Sequence, residues 1–179
     1  AVVQIVHGVA EHMGRYDHFA RYLADHGFAV CGEDHLGHGK TVDDGKYGYF
    51  GKRDGWTLVT ADVRQLRQLC GERFPGVPYF LLGHSMGSFL ARTYLCAYPG
   101  TVNGCILSGT GQEKPALVAA GKAVASAVCA LLGGGGHHLS PRADAEGEGG
   151  PAVGQVAGQL VVRWGELLPG GPVLPEADV

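Results

Sequence analysis

Over residues 1–109, short unbroken apolar runs alternate with longer stretches whose apolar positions recur every three or four residues. The run "VVQIV" (2–6) is β-branched and stops at His7-Gly8, the pattern of a buried parallel strand. "GRYDHFARYLADHGF" (14–28) puts Tyr16, Phe19, Ala20, Leu23 and Ala24 at helical spacing, with Gly27 as a natural stop. "AVCGED" (29–34) predicts a second strand that ends at an acid. "LGHGKTVDDGKYGYFGKRDG" (36–55) reads as a Gly-rich loop, of a length that compact domains keep for function or motion. "WTLVTADVRQLRQLCGERF" (56–74) predicts an amphipathic helix with Leu58, Val59, Val63, Leu66 and Leu69 on its apolar face, ended by Pro75 and Pro78. Then come a strand "YFLLG" (79–83), a helix "MGSFLARTYLCAY" (86–98) stopped by Pro99-Gly100, and a strand "VNGCILSG" (102–109). The order β-α-β-loop-α-β-α-β predicts an α/β fold with a mostly parallel sheet flanked by helices.

After this region the composition changes. "PALVAAGKAVASAVCALL" (115–132) is an Ala-rich helix candidate, interrupted by Lys122 and Ser126 and too short and soft to span a membrane. From Gly133 to Val179 the chain holds no Phe, Tyr, Ile, Lys, Asn, Thr, Met or Cys. Only "QVAGQLVVRWGELL" could fold locally there, so residues 133–179 read as an irregular or disordered tail beside a core at 1–132. The missing residue types are largely those with AT-rich codons. One hypothesis is a GC-rich gene read out of frame, or past its true boundary; resequencing codons 125–140 and finding one clean frame would sink it. The alternative is a natural low-complexity tail.

Charge and cysteines narrow the class. Net charge is −3 and the isoelectric point about 6.3, so no basic surface recommends nucleic acid. The opening has no basic n-region and no small-residue cleavage site, which predicts no signal peptide and entry in the middle of a strand. The five cysteines form no CxxC pair and are odd in number. They predict reduced thiols of a cytoplasmic protein, packed as small apolar groups, rather than a disulfide framework.

The chemistry concentrates at Gly83-His84-Ser85-Met86-Gly87, between a strand and a helix. A Gly-x-Ser-x-Gly there is a nucleophile elbow: the chain reverses within a few residues and Ser85 is forced into a sparsely populated backbone conformation. Gly83 and Gly87 lack a Cβ, so strand and helix can approach each other. The turn lifts the Ser85 hydroxyl to the carboxyl end of the sheet, where α/β folds hold their ligands. The Met86 N–H, at the helix start, can point at a developing oxyanion. Acyl transfer needs a second such donor, usually from the loop after an earlier strand, and Val9 in "HGVAEHMGRY" is the candidate. His7, Glu11 and His12 are expected to brace that loop. His7, His12, His35 and His38 hold no HExxH and no converging Cys or carboxylate set, so a metal site is not expected.

Together, "HGVAEHMGRY", "DHLGHGKT" and "LLGHSMGSFLARTYL" resemble the monoacylglycerol lipase and lysophospholipase branch of the α/β-hydrolases, the serine-aminopeptidase-like hydrolases. The resemblance spans about residues 1–126. It implies a Ser–Asp–His triad that cleaves monoacylglycerols, lysophospholipids and similar acyl esters without a cofactor, under a helical cap that starts at about 115–132. By position Ser85 matches the nucleophile, and Val9 and Met86 the oxyanion hole. Asp34, His35, Gly37, His38 and Gly39 match a structural loop bordering the site.

The order in this fold is Ser, then acid, then His. After Ser85 the only histidines are His137 and His138, in "GGGGHHLSP", and the only acid between is Glu113. Glu113 and His138 are therefore the acid and base candidates, although a glycine run does not hold a base within the 2.6–3.2 Å or so it needs. The strands that carry the family's Asp and His are not recognisable in the tail, which leaves an exposed sheet edge beside "VNGCIL". Three alternatives to an active esterase stand open: a catalytically dead fragment or acyl-ligand binder, an aminopeptidase, and a thioesterase or acyltransferase of the same fold. The expected partner is a small acyl-ester or lipid-like substrate. For the 115–132 helix, packing over the sheet is expected ahead of contact with a membrane surface.

Overall fold

The computed structural model describes residues 1–42 and 45–131. The tail at 133–179, with His137 and His138, lies outside the described residues. Four parallel strands form one sheet: β1 (Val2–Val6), β2 (Ala29–Gly32), β3 (Tyr79–His84) and β4 (Gly104–Ser108), in the order β2-β1-β3-β4. Helix α1 (Asp17–Asp25) links β1 to β2, α2 (Gly55–Arg73) links β2 to β3, and α3 (Met86–Ala97) links β3 to β4. Helix α4 (Pro115–Leu131) follows β4. The predicted α/β class and its parallel sheet are what the chain adopts.

The sheet is apolar on both faces because helices cover both. Ile5 and Val30 pack on Met13 and on Ala20 of α1. On the other face Val2, Val6, Tyr79 and Leu81 pack on Val59, Val63 and Leu66 of α2 and on Leu90, Ala91 and Tyr94 of α3. From β1 the chain turns to β2 on one side, while β3 pairs with β1 on the other. The carboxyl ends of β1 and β3 therefore flank a topological switch point, where open α/β sheets leave a crevice.

Some expectations need correction. Phe19 and Leu69 are exposed. In α2 the buried stripe runs Val59, Val63, Leu66, Cys70, so the last inward position falls to Cys70 and Leu69 is turned away. In α1 only Ala20 and Ala24 are fully buried, two small residues that face the sheet while Phe19 is left at the rim. Strand β2 stops at Gly32 rather than Asp34, because the backbone beyond it turns to brace the β1 loop. Helix α4 forms where the sequence predicts, but it is exposed along its described side chains and does not pack over the sheet. The sheet ends at β4, so no further strand lies under α4 among the described residues. No helix of the described residues is long and apolar enough to cross a membrane.

Candidate active site

Ser85 sits at the corner between β3 and α3 with φ 53° and ψ −119°. A positive φ in a residue with a side chain is strained, and such strain persists only where the surroundings enforce it. They do here. The Ser85 N–H donates to the Ser108 carbonyl of β4 (2.9 Å), and the Ser85 carbonyl accepts from the Ser88 N–H (3.0 Å) and hydroxyl (2.6 Å). The flanking glycines are required by space. A Cβ on Gly87 would collide with the Val6 and His7 carbonyl oxygens, and one on Gly83 would meet the Gly87 carbonyl oxygen at 2.5 Å. Backbone cannot yield as a flexible side chain would, so α3 can approach β1 only with glycine at 87.

The loop after β1 lies directly against this corner. A Cβ on Gly8 would stand 3.1 Å from the Ser85 Cβ and 3.3 Å from the His84 carbonyl oxygen. Val9 is the next residue and is exposed. Met86 opens α3, and its N–H is among those a helix leaves without an intrahelical acceptor. The structure thus brings the Gly8–Val9 loop and the Ser85–Met86 turn together at the switch point.

Side chains brace the β1 loop, as expected for His7 and Glu11. The Glu11 carboxylate accepts from the Gly8 N–H and from the Tyr16 hydroxyl (2.7 Å). Partial burial works against its charge, but the Tyr16 hydroxyl and the Gly8 N–H outweigh that and pull its pKa down. His12, grouped with them, is exposed instead. His7 is fully buried; its Nδ1 donates to the Gly8 carbonyl (2.8 Å) and its Nε2 accepts the His35 N–H (3.0 Å). That pair of bonds requires the neutral imidazole with the proton on Nδ1. Burial lowers the pKa of both His7 and His35, and the stacking of the two rings 4.0 Å apart is consistent with two uncharged imidazoles. Asp34 ties in the neighbouring loop by accepting the Met13 (2.7 Å) and Lys40 (2.9 Å) N–H groups. Gly37 and Gly39 in that loop hold positive φ values of 68° and 50°. The loop borders the site as a brace.

The acid and base candidates are not assembled there. Glu113 lies exposed in the irregular segment between β4 and α4. His138 falls outside the described residues. Among the described residues no side chain hydrogen-bonds the Ser85 hydroxyl.

Four contacts escaped the sequence reasoning. His84 Nδ1 lies 3.2 Å from the Ser108 hydroxyl, linking the elbow to β4. The Trp56 indole N–H donates to the Thr93 hydroxyl (3.0 Å), joining α2 to α3 behind the elbow. Beneath α2, Gln4 receives the Tyr79 hydroxyl proton (2.8 Å) and donates to the Val63 carbonyl (3.1 Å). The single glutamine inside "VVQIV" was a signal for this last cluster, since a polar residue in a buried strand needs partners.

This geometry accords with known proteins. Hydrolase_4, described as serine aminopeptidase, S33, matches residues 1–148. A monoglyceride lipase homolog of Monkeypox virus is 38% identical over 113 residues, covering 60% of this chain and 37% of its own length. A monoacylglycerol lipase of Mycolicibacterium smegmatis is 37% identical over 129 residues, covering 68% of this chain and 43% of its own. The crystal structure of a thermostable carboxyl esterase from Bacillus coagulans, in complex with glycerol, superposes with a TM-score of 0.64 at 37% identity, covering 74% of this chain and 42% of that one. The chain therefore spans less than half the length of these relatives. A strained serine between β3 and α3, the β1 loop closed against it and the span of the family match agree: the chain belongs to the Hydrolase_4 family of α/β-hydrolases, serine aminopeptidase S33.

Proposed function

We propose that Ser85 is the nucleophile of a carboxylic-ester hydrolase acting on lipid-like acyl esters such as monoacylglycerols or lysophospholipids, with the Val9 and Met86 N–H groups as its oxyanion hole. The observation that carries this is the enforced backbone of Ser85, with the Gly8–Val9 loop packed on it. In this reading the Ser85 hydroxyl attacks the ester carbonyl carbon and gives up its proton to a base. The oxyanion draws the two N–H groups, which need no reorganisation because both turns are already braced. Collapse expels the alcohol, and water then releases the acid from the acyl-enzyme. The lipid character of the substrate rests on the relatives, which are named as monoacylglycerol lipases. It is supported by the exposed apolar residues Leu117, Val124, Val128 and Leu131 along one face of α4, suited to a cap that touches a lipid surface.

A second reading, an acyl-ligand binder without catalysis, is favoured by one observation. Glu113 is exposed, and no side chain of the described residues meets the Ser85 hydroxyl. Fluorophosphonate labelling of the purified chain, with Ser85→Ala as control, separates the two. Labelling lost in Ser85→Ala is the expected result, and Glu113→Gln and His138→Ala then test the acid and base. An unlabelled chain with native circular dichroism, and p-nitrophenyl butyrate rates equal to those of Ser85→Ala, would leave the binder.

A further inference from the structure

The Val9 N–H has no hydrogen-bond acceptor among the described residues, and Gly8 sets its direction. The two share a trans peptide, in which the Val9 N–H and the Gly8 carbonyl lie in one plane and point opposite ways. Position 8 must be glycine for reasons of space. A Cβ there would stand 2.8 Å from Glu11 Oε1, 3.1 Å from the Ser85 Cβ and 3.3 Å from the His84 carbonyl oxygen. Glycine is also the residue whose backbone turns most freely. A loop that needs glycine beside the serine therefore needs something else to hold that glycine in place.

Two side chains hold it, one at each of its backbone groups. His7 Nδ1 donates to the Gly8 carbonyl (2.8 Å), and the Gly8 N–H donates to Glu11 Oε1. The turn from Gly8 to Glu11 runs through Ala10, whose φ of 57° is strained for a residue with a side chain. The Gly8–Glu11 bond closes that turn. Glu11 is itself held. Its Oε1 also accepts from the Tyr16 hydroxyl (2.7 Å), and Tyr16 packs on the cluster of Ile5, Met13, Ala20 and Val30. Arg15 Nε, 3.9 Å from Oε2, is on an exposed side chain and adds little. The carboxylate thus links the glycine beside Ser85 to a packed face of the sheet.

We infer that Glu11 is a positioning residue of the oxyanion hole: by fixing Gly8 it keeps the Val9 N–H aimed at the oxygen of an acyl group on Ser85. This rests on the reading of Ser85 as nucleophile and Val9 as donor. In this role Glu11 neither attacks nor takes a proton. It supplies the reach of Oε1 to the Gly8 N–H, not its charge. Glutamine has the same reach, and its amide oxygen can accept the same two bonds. Aspartate keeps the charge and is one methylene too short.

The test is the rate constant for fluorophosphonate labelling of Ser85 in the full chain, with each variant first shown to be folded by circular dichroism. Glu11→Ala and Glu11→Asp should label about tenfold or more slowly than wild type, and Glu11→Gln within about threefold of it. The end point of labelling counts competent molecules, while the rate constant reports the site. A merely structural Glu11 would lower the end point and leave the rate constant unchanged, which overturns the inference. So does a Glu11→Gln chain as slow as Glu11→Asp. Where Glu11→Ala does not fold, the order of Glu11→Gln over Glu11→Asp decides. Exchange of the Gly8 amide hydrogen, followed by NMR, needs no labelling. It should be about tenfold faster in Glu11→Asp than in wild type, and equal exchange overturns the inference. A folded wild type that is not labelled removes the nucleophile and this inference together. A labelled wild type matched by an equally fast Glu11→Asp removes this inference alone.

Discussion

The corner around Ser85 and the surface formed by β4 and α4 are neighbours in sequence and opposites in packing. At the corner, Gly8, Gly83 and Gly87 leave no room for a single added carbon, and His7, Ser88 and Leu90 are fully buried. Beyond it, Ile106 and Leu107 on β4 and Leu117, Val124 and Leu131 on α4 are exposed although all are large and apolar. Hydrophobicity alone does not distinguish the two. What differs is the number of elements available: β1 and β3 have strands on both sides and helices on both faces, whereas β4 has a strand on one side only among the described residues. The elbow is therefore tightly packed, while the surface that follows is apolar and exposed among the described residues.

That contrast can be broken or sharpened by substitution. The largest effect belongs to Gly87→Ala, whose Cβ would run into two carbonyl oxygens of β1's end. Urea denaturation followed by circular dichroism should show a loss of about 3 kcal/mol or more, or no folded state. A Gly87→Ala chain of wild-type stability would mean that the corner is loose. Next is a paired comparison between fully buried Leu81 and half-exposed Ile106. Leu81→Ala should cost about 2–5 kcal/mol and Ile106→Ala less than about 1 kcal/mol. Equal costs in the full chain would mean that something covers β4.

A smaller effect concerns pH. The Glu33 carboxyl is raised to about 8 in the folded protein by burial, and then by Asp62, from an ordinary value near 4.5. The folded state then holds a proton that the unfolded state has lost. This contribution is full below pH 4.5 and disappears as pH rises through 8, at no more than about 1.4 kcal/mol per pH unit. His7 and His35 act in the opposite sense and lower down. Their pKa values are depressed by burial, so their contribution is present above 6.5 and lost as pH falls below it. The window from 6.5 to 8 isolates Glu33 from them. Stability measured across it should fall more steeply in wild type than in Glu33→Gln; the Cys70 thiol, drawn down to about 7, is common to both. Parallel lines would show that Glu33 ionises normally. The smallest effect is Val124→Ala on α4, which should change stability by less than about 0.5 kcal/mol in the same urea experiment.

Much of this was legible in the sequence. Each strand and helix appears close to where the apolar pattern puts it, because a 2–6 residue β-branched run and a 3.6-residue stripe can each be buried in only one way. The Gly-x-Ser-x-Gly between strand and helix gave the corner, since only glycine tolerates the contacts that Gly83 and Gly87 make. Other features were not local. Whether Leu69 or Cys70 faces inward depends on a rotation of α2 that is settled by its contact with the sheet. The meeting of Cys31 with the Tyr79 hydroxyl joins residues far apart in the chain, and no spacing rule announces it.

By itself, then, the sequence determined the α/β order of elements, the serine at its turn and the loop expected to face it, because these follow from short-range patterns of apolar spacing and glycine. The tertiary structure alone decided that His7 is a neutral brace, that Glu11 clamps Gly8, that Cys31 and Cys70 lie in one buried core, and that α4 stands off the sheet. Each of those depends on which elements are brought side by side when the strands pair, and burial, hydrogen bonding and charge acquire their values only then.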